Sequence, residues 1–132
     1  MEDIALGMRT RVKVCCIANQ TEAMLAIEAG ADAIGLVAEM PSGPGPITDE
    51  AIANIARIVP PGIDSFLLTS RTSPARVLEH VLYCQTSVLQ LVGAVEPTVY
   101  QRLRDGAPGV RIVQVIHVEA VRAADDATFM TP

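Results

Sequence analysis

Five short apolar runs rich in β-branched residues recur along the chain, at Val12–Cys16, Ala33–Val37, Ser65–Thr69, Val88–Val92 and Ile112–Val118, with helix signals between them. Runs that stay apolar throughout, instead of alternating with polar residues, suit parallel strands covered by helices. The repeat therefore predicts an α/β fold of (β/α) units around a parallel sheet. Each helix has its own punctuation. Asn19 with Glu22 three residues later fits an N-cap and its reciprocal acid, and Gly30 fits a left-handed stop. Thr48 precedes Asp49 and Glu50, acids suited to the positive end of a helix dipole, and Ile52, Ile55, Ala56 and Val59 share one face until Pro60, Pro61 and Gly62 end it. Ser73 and Pro74 open a third helix with Val77, Leu78, Val81 and Leu82 on its stripe, and Pro97 opens a fourth that runs to about Asp105. Gly106–Gly109 then turns the chain into the fifth strand.

With 132 residues, half of them hydrophobic, the chain is read as a single domain over 1–132 with a real core. Its net charge is -5 and it has no Lys/Arg cluster, so neither nucleic acid nor an anionic membrane is expected as a partner. No apolar run approaches the ~18 residues of a membrane span, and the N-terminus lacks a signal-like apolar region. The expected localisation is cytoplasmic. Cys15, Cys16 and Cys84 are odd in number and lack CxxC spacing, which argues for free thiols and against a disulfide framework or a tetrahedral zinc motif. No metal is assigned on this basis.

One connection differs from the rest. "MPSGPGPIT", Met40–Thr48, places three prolines and two glycines after strand two, on the side where parallel α/β proteins build sites. It is either a rigid connector or a loop whose backbone N–H groups face a ligand. The strand count poses a second alternative. Five strands use the chain up to about Val118, whereas a closed (β/α)₈ barrel takes ~250 residues. A partial barrel would have strand order 1-2-3-4-5, and a flavodoxin-like open sheet 2-1-3-4-5.

The stretch "VKVCCIANQTEAMLAIEAGADAIGLV" resembles the opening of the phosphoribosylanthranilate isomerase family, whose first βαβ unit reads V-K-I-C-G-I-T-N and then E-A-G-A-D-A-I-G. Lys13, Cys15, Ile17, Asn19, Glu28, Gly30, Ala31, Asp32, Ala33 and Gly35 fall on that pattern. "LQLVGAVEPTVYQRLR" is similar to the family's Q-L-H-G segment and following helix, and "VRIVQVIHV" to its fifth strand, so the resemblance covers residues 11 to 118. It implies a TIM-barrel-type fold of which about five strands are present. It also implies the Amadori rearrangement of N-(5'-phosphoribosyl)anthranilate to its 1-deoxyribulose 5-phosphate isomer in tryptophan biosynthesis, without a cofactor. In the family an acid opens the ribose ring to a Schiff base, and the cysteine of K-I-C-G, here Cys15, removes the C2' proton. A thiol, with an ordinary pKa of ~8.5, suits that task.

This sequence departs from the family at several positions. Gly43, Pro44, Gly45 and Pro46 stand where the family's loop carries an arginine for the anthranilate carboxylate, Val92 stands for the histidine of Q-L-H-G, and Cys16 for a glycine. The family's acid lies on strand six and its phosphate grip after strands seven and eight. "DATFMTP", residues 126–132, would be a degraded strand six. The chain is therefore expected to be either the N-terminal part of an isomerase-like enzyme or a non-catalytic relative that binds a small anion or a partner subunit, and its unpaired edges favour self-association. Gln90, polar inside an apolar strand, His117 near the end of strand five, and Arg71 beside Ser70 after strand three are the candidate contacts to a phosphorylated small-molecule substrate. Strand alternation puts Cys15 and Cys16 on opposite faces, which makes Cys16 core; Cys84 reads as packing, His80 as solvated helix surface, and Asp32 as a turn residue without chemistry.

Overall fold

The computed structural model describes residues 8–119. Nine elements alternate through them: β1 (Lys13–Val14), α1 (Gln20–Glu28), β2 (Ala33–Val37), α2 (Asp49–Ala56), β3 (Asp64–Thr69), α3 (Pro74–Cys84), β4 (Val88–Leu91), α4 (Thr98–Gly106) and β5 (Arg111–Gln114). All neighbouring strands pair in parallel, in the order β1-β2-β3-β4-β5. This is the order of a barrel arc, and it excludes the flavodoxin-like alternative. The proposed remnant of a sixth strand lies outside the described residues.

The punctuation behaves largely as its chemistry requires. Asn19 accepts the Glu22 backbone N–H at 2.8 Å, while the Glu22 carboxylate reaches back to the N–H of Ala18, one residue earlier than a capping box would place it. The Thr48 hydroxyl accepts from Ala51 N–H, and Gly30 adopts a left-handed φ of 106°. Ser73 occupies the cap position of α3 without a side-chain bond, and the helix start rests on the fixed φ of Pro74.

Side-chain alternation gives the sheet two unequal faces. Ile34, Leu36, Leu67, Leu89 and Leu91 are fully buried and join Ile52 and Ile55 of α2, Val77 and Val81 of α3, and Val99 and Leu103 of α4 in one core. The register carries the other face across the strands as Gly35, Phe66, Val88 and Arg111 in one row and Val37, Leu68, Gln90 and Val113 in the next. Phe66, Leu68 and Gln90 are only half-buried there, and Val113 is exposed. All four helices thus cover one face, and the second is the one a complete barrel would enclose.

Two strands are shorter than their apolar runs suggest. β1 ends at Val14 because Cys16 takes a left-handed φ of 60°, which no strand accommodates. β5 ends at Gln114, although Val115 N–H still bonds Leu91 C=O. The short β1 is secured from outside the ladder: the Asp32 carboxylate accepts the Val12 backbone N–H at 2.8 Å and a two-pronged contact from Arg9. These bonds hold the Asp32 carboxyl down at about 2, the Arg9 hydrogen bond being the larger cause and the Val12 N–H the next. A depressed acid contributes stability above its unfolded pKa of ~3.9 and loses it as pH falls toward the folded value. Asp32→Asn should therefore lower Tm at neutral pH, and the gap to wild type should close as pH falls from about 4 toward 2. Thermal melts across that range check it.

Candidate functional site

Cys15 follows β1 directly and lies on the open face of the sheet. Its thiol lies against Gly35 of β2, where a Cβ would meet Cys15 Sγ at 2.6 Å and Cys15 Cα at 3.2 Å. Gly35 is thus a close-approach glycine, and any larger residue would drive the thiol out of place. Lys13, two residues earlier on the same face, donates from Nζ to Gln90 Oε1 at 2.8 Å and lies 4.3 Å from the centre of the Phe66 ring. Cys15, Lys13, Phe66 and Gln90 therefore share one surface of the sheet. His117 is exposed beyond β5 and donates from Nε2 to Val92 C=O at 2.8 Å, which ties its ring to the end of β4.

Cys16 is not core: strand alternation does not extend to it, because the residue lies outside the strand, in the left-handed region. It is exposed, and its Sγ donates to Pro44 C=O at 3.8 Å. Partial desolvation and the adjacent Cys15 push the Cys16 thiol up from its ordinary range. The Pro/Gly loop folds down on it: Gly45, at φ 98°, leaves no room for a Cβ, which would sit 2.7 Å from Cys16 Sγ. Ile47 N–H bonds Val37 C=O at 2.9 Å, so the far end of the loop is pinned to the end of β2.

Arg71 is held on the helix-covered side, away from Cys15. It donates to Asp49 at 3.4 Å and to Arg76 C=O at 3.1 Å, and approaches Glu79 at 3.7 Å. With Asp49 and His80 it lines a cavity of about 460 Å³ that contains neither Cys15 nor Gln90. His80 is not a solvated surface residue; only 3% exposed, it faces the core side of α3. Its Nε2 is 2.9 Å from Asp49 Oδ1 and its Nδ1 is 2.8 Å from Thr69 Oγ1. Since a carboxylate only accepts, Nε2 carries a proton toward Asp49 and the Thr69 hydroxyl donates to Nδ1 of the neutral ring. Burial pushes His80 below its ordinary pKa, against the upward pull of Asp49. The signal for its burial is its position, three residues after Val77 and one before Val81, inside the buried stripe. Cys84 is buried as expected, and burial pushes its thiol up to about 12.

Among proteins of known name, the chain is 30% identical over 109 residues to the N-(5'-phosphoribosyl)anthranilate isomerase of Methanocella arvoryzae, covering 83% of this chain and 51% of that one. It is 36% identical over 102 residues to the protein of the same name from a Nitratiruptor species, covering 76% and 52%. A crystal structure of phosphoribosyl anthranilate isomerase in complex with reduced 1-(o-carboxyphenylamino)-1-deoxyribulose 5-phosphate superposes with a TM-score of 0.69 at 28% identity, over 90% of this chain and 59% of that one. The chain belongs to the phosphoribosylanthranilate isomerase family. No family model matches it. The chain spans about half the length of the curated relatives it matches.

The family pattern now has a local physical reason at position 16. The motif that this stretch resembles, V-K-I-C-G-I-T-N, has glycine after its cysteine, and the backbone at Cys16 has the positive φ that glycine adopts without strain. A non-glycine residue in that region costs about 1–2 kcal/mol. Cys16→Gly should therefore be at least as stable as wild type, whereas Cys16→Val, β-branched at a positive φ, should lose about 2 kcal/mol. Denaturant unfolding of the two variants checks the pair.

Proposed function

We propose that this chain forms the base-bearing part of a phosphoribosylanthranilate isomerase that rearranges N-(5'-phosphoribosyl)anthranilate in tryptophan biosynthesis. Cys15 is the proton acceptor at C2', and the ligand is a small phosphorylated molecule lying on the open face of the sheet. The observation that carries the reading is the seating of Cys15 against Gly35, on the same face as the Lys13–Gln90 pair. A base must meet its proton in a fixed geometry, and the Gly35 contact leaves the thiol little freedom. Gln90 and His117 are assigned to substrate contact, with Gln90 held by Lys13 and His117 by Val92. Arg71 is assigned instead to the Asp49–Glu79 network. By resemblance, the acid and phosphate grip come from strands six to eight, beyond the five strands described. The half-buried second face and the edge of β5, which pairs with no further strand among the described residues, are proposed to be covered by further strands, of this protein or of a second copy. Among the described residues no helix is long and apolar enough to cross a membrane.

A second reading is favoured by the loop. Gly43–Pro46 carries no charge, and it folds onto Cys16 instead of opening toward a carboxylate. On that reading the chain is a binding relative without turnover.

A full-length chimera separates the two. Residues 8–119 replace the matching part of the Methanocella arvoryzae relative, and loss of anthranilate fluorescence reports turnover. The enzyme reading predicts measurable turnover that Cys15→Ser lowers by about 10²–10⁴-fold, the range of a general base, while Cys16→Ser changes it little. Equal turnover with and without the Cys15 thiol contradicts the assignment of the base. A folded chimera that binds the reduced product analogue without turning over supports the binding relative.

A further inference from the structure

We propose that Asp49, His80 and Cys84 form a binding site for one zinc-class divalent cation, on the helix-covered side of the sheet and separate from Cys15. One ligand atom from each, the carboxylate oxygen, an imidazole nitrogen and Sγ, lie within 4.8 Å of one another. His80 and Cys84 stand four residues apart on α3, so one helix face presents both, and Asp49 reaches them from the first position of α2. Tetrahedral zinc, with bonds of about 2.0–2.3 Å to N, O and S, needs ligand atoms roughly 3.3–3.8 Å apart. The 2.9 Å contact between His80 Nε2 and Asp49 Oδ1 would have to open by a few tenths of an ångström to meet that, and the widest separation, within 4.8 Å, would have to close by up to about 1 Å.

The surroundings of the three residues match what such a site requires. A ligating imidazole must offer a lone pair at one nitrogen and be steered through the other. Thr69 Oγ1, 2.8 Å from Nδ1, supplies the steering contact. It already accepts the Arg71 backbone N–H at 3.1 Å, and its second lone pair can take Nδ1–H once the ring proton moves off Nε2. Arg71 approaches Asp49 Oδ2, leaving Oδ1 toward His80. Cation binding therefore displaces one proton, from the Cys84 thiol, while the imidazole stays neutral and shifts its proton from Nε2 to Nδ1. Thiolate and carboxylate then balance the two positive charges of the ion, and Arg71 keeps Glu79 as a counter-charge. Cys84 and His80 are buried, but Asp49 and His80 line the 460 Å³ cavity, so a fourth position is open to water from that side. Three protein ligands and one open position is the arrangement zinc adopts where it does chemistry.

The test is a cobalt titration of the 132-residue chain, read by thiolate-to-cobalt charge-transfer absorption, with zinc as competitor and circular dichroism as the check on folding. We expect one equivalent to bind, zinc to displace it, and Tm to rise by roughly 10 °C at free zinc about 100-fold above Kd. Asp49→Asn, which keeps the side-chain size, should weaken binding at least tenfold, and Cys84→Ala should remove the absorption band. The double variant Cys15→Ser/Cys16→Ser should keep both the band and the stoichiometry. Absence of saturable binding overturns the proposal. So does a band that survives in Cys84→Ala and vanishes in the double variant, since it would place the ion on the adjacent thiols.

Discussion

The structure depends on the one-sided cover of its parallel sheet. Ile34, Leu36, Leu67, Leu89 and Leu91 project from one face into the helices, each fully buried. Burying a side chain of that size is worth about 1.5–3 kcal/mol, so this layer holds strands and helices in register. Because side chains alternate along a strand, fixing that face also fixes what the opposite one presents. Gly35, Phe66, Leu68 and Gln90 are on the open side as a consequence of the leucines being on the closed one.

Two chemically different neighbourhoods result, one on each face. The open face carries Cys15, Lys13 and Gln90 around space that further strands would enclose. The closed face carries Thr69, the alternation partner of Leu67, and through it the buried His80, whose ring reaches the half-exposed Asp49. A polar residue on the closed face must find partners or bear the cost of its desolvation, and Thr69 and His80 satisfy each other there. Among the described residues no buried side-chain nitrogen or oxygen lacks a partner.

Much of this is legible in the residues. Strand and helix alternation, the Asn19 and Thr48 caps and the Gly30 stop are local signals, and each forms where its chemistry requires. The position of Cys15 is legible through its motif, whereas the reason for its neighbouring glycines is not, because Gly35 and Gly45 answer to thiols distant in sequence. Cys16 escapes the sequence reading because alternation holds only while the backbone is extended, and nothing in the residue itself signals a φ of 60°. His80 escapes it because its neighbour Glu79 is solvated; its own helical position, between Val77 and Val81, points inward. Arg71 is drawn to Asp49 by an ion pair that spans 22 positions and that no local pattern encodes.

The division of the two faces can be read from the rate at which each cysteine of the folded 132-residue chain is alkylated, followed by mass spectrometry. Thiol reactivity depends on exposure as well as thiolate character, and a sealed thiol reacts only through opening of the fold. The account predicts that Cys15 and Cys16 are modified in the native state and that Cys84 is modified only under conditions that unfold the chain. Native-state modification of Cys84 together with the other two, or a Cys15 as protected as Cys84, would contradict it.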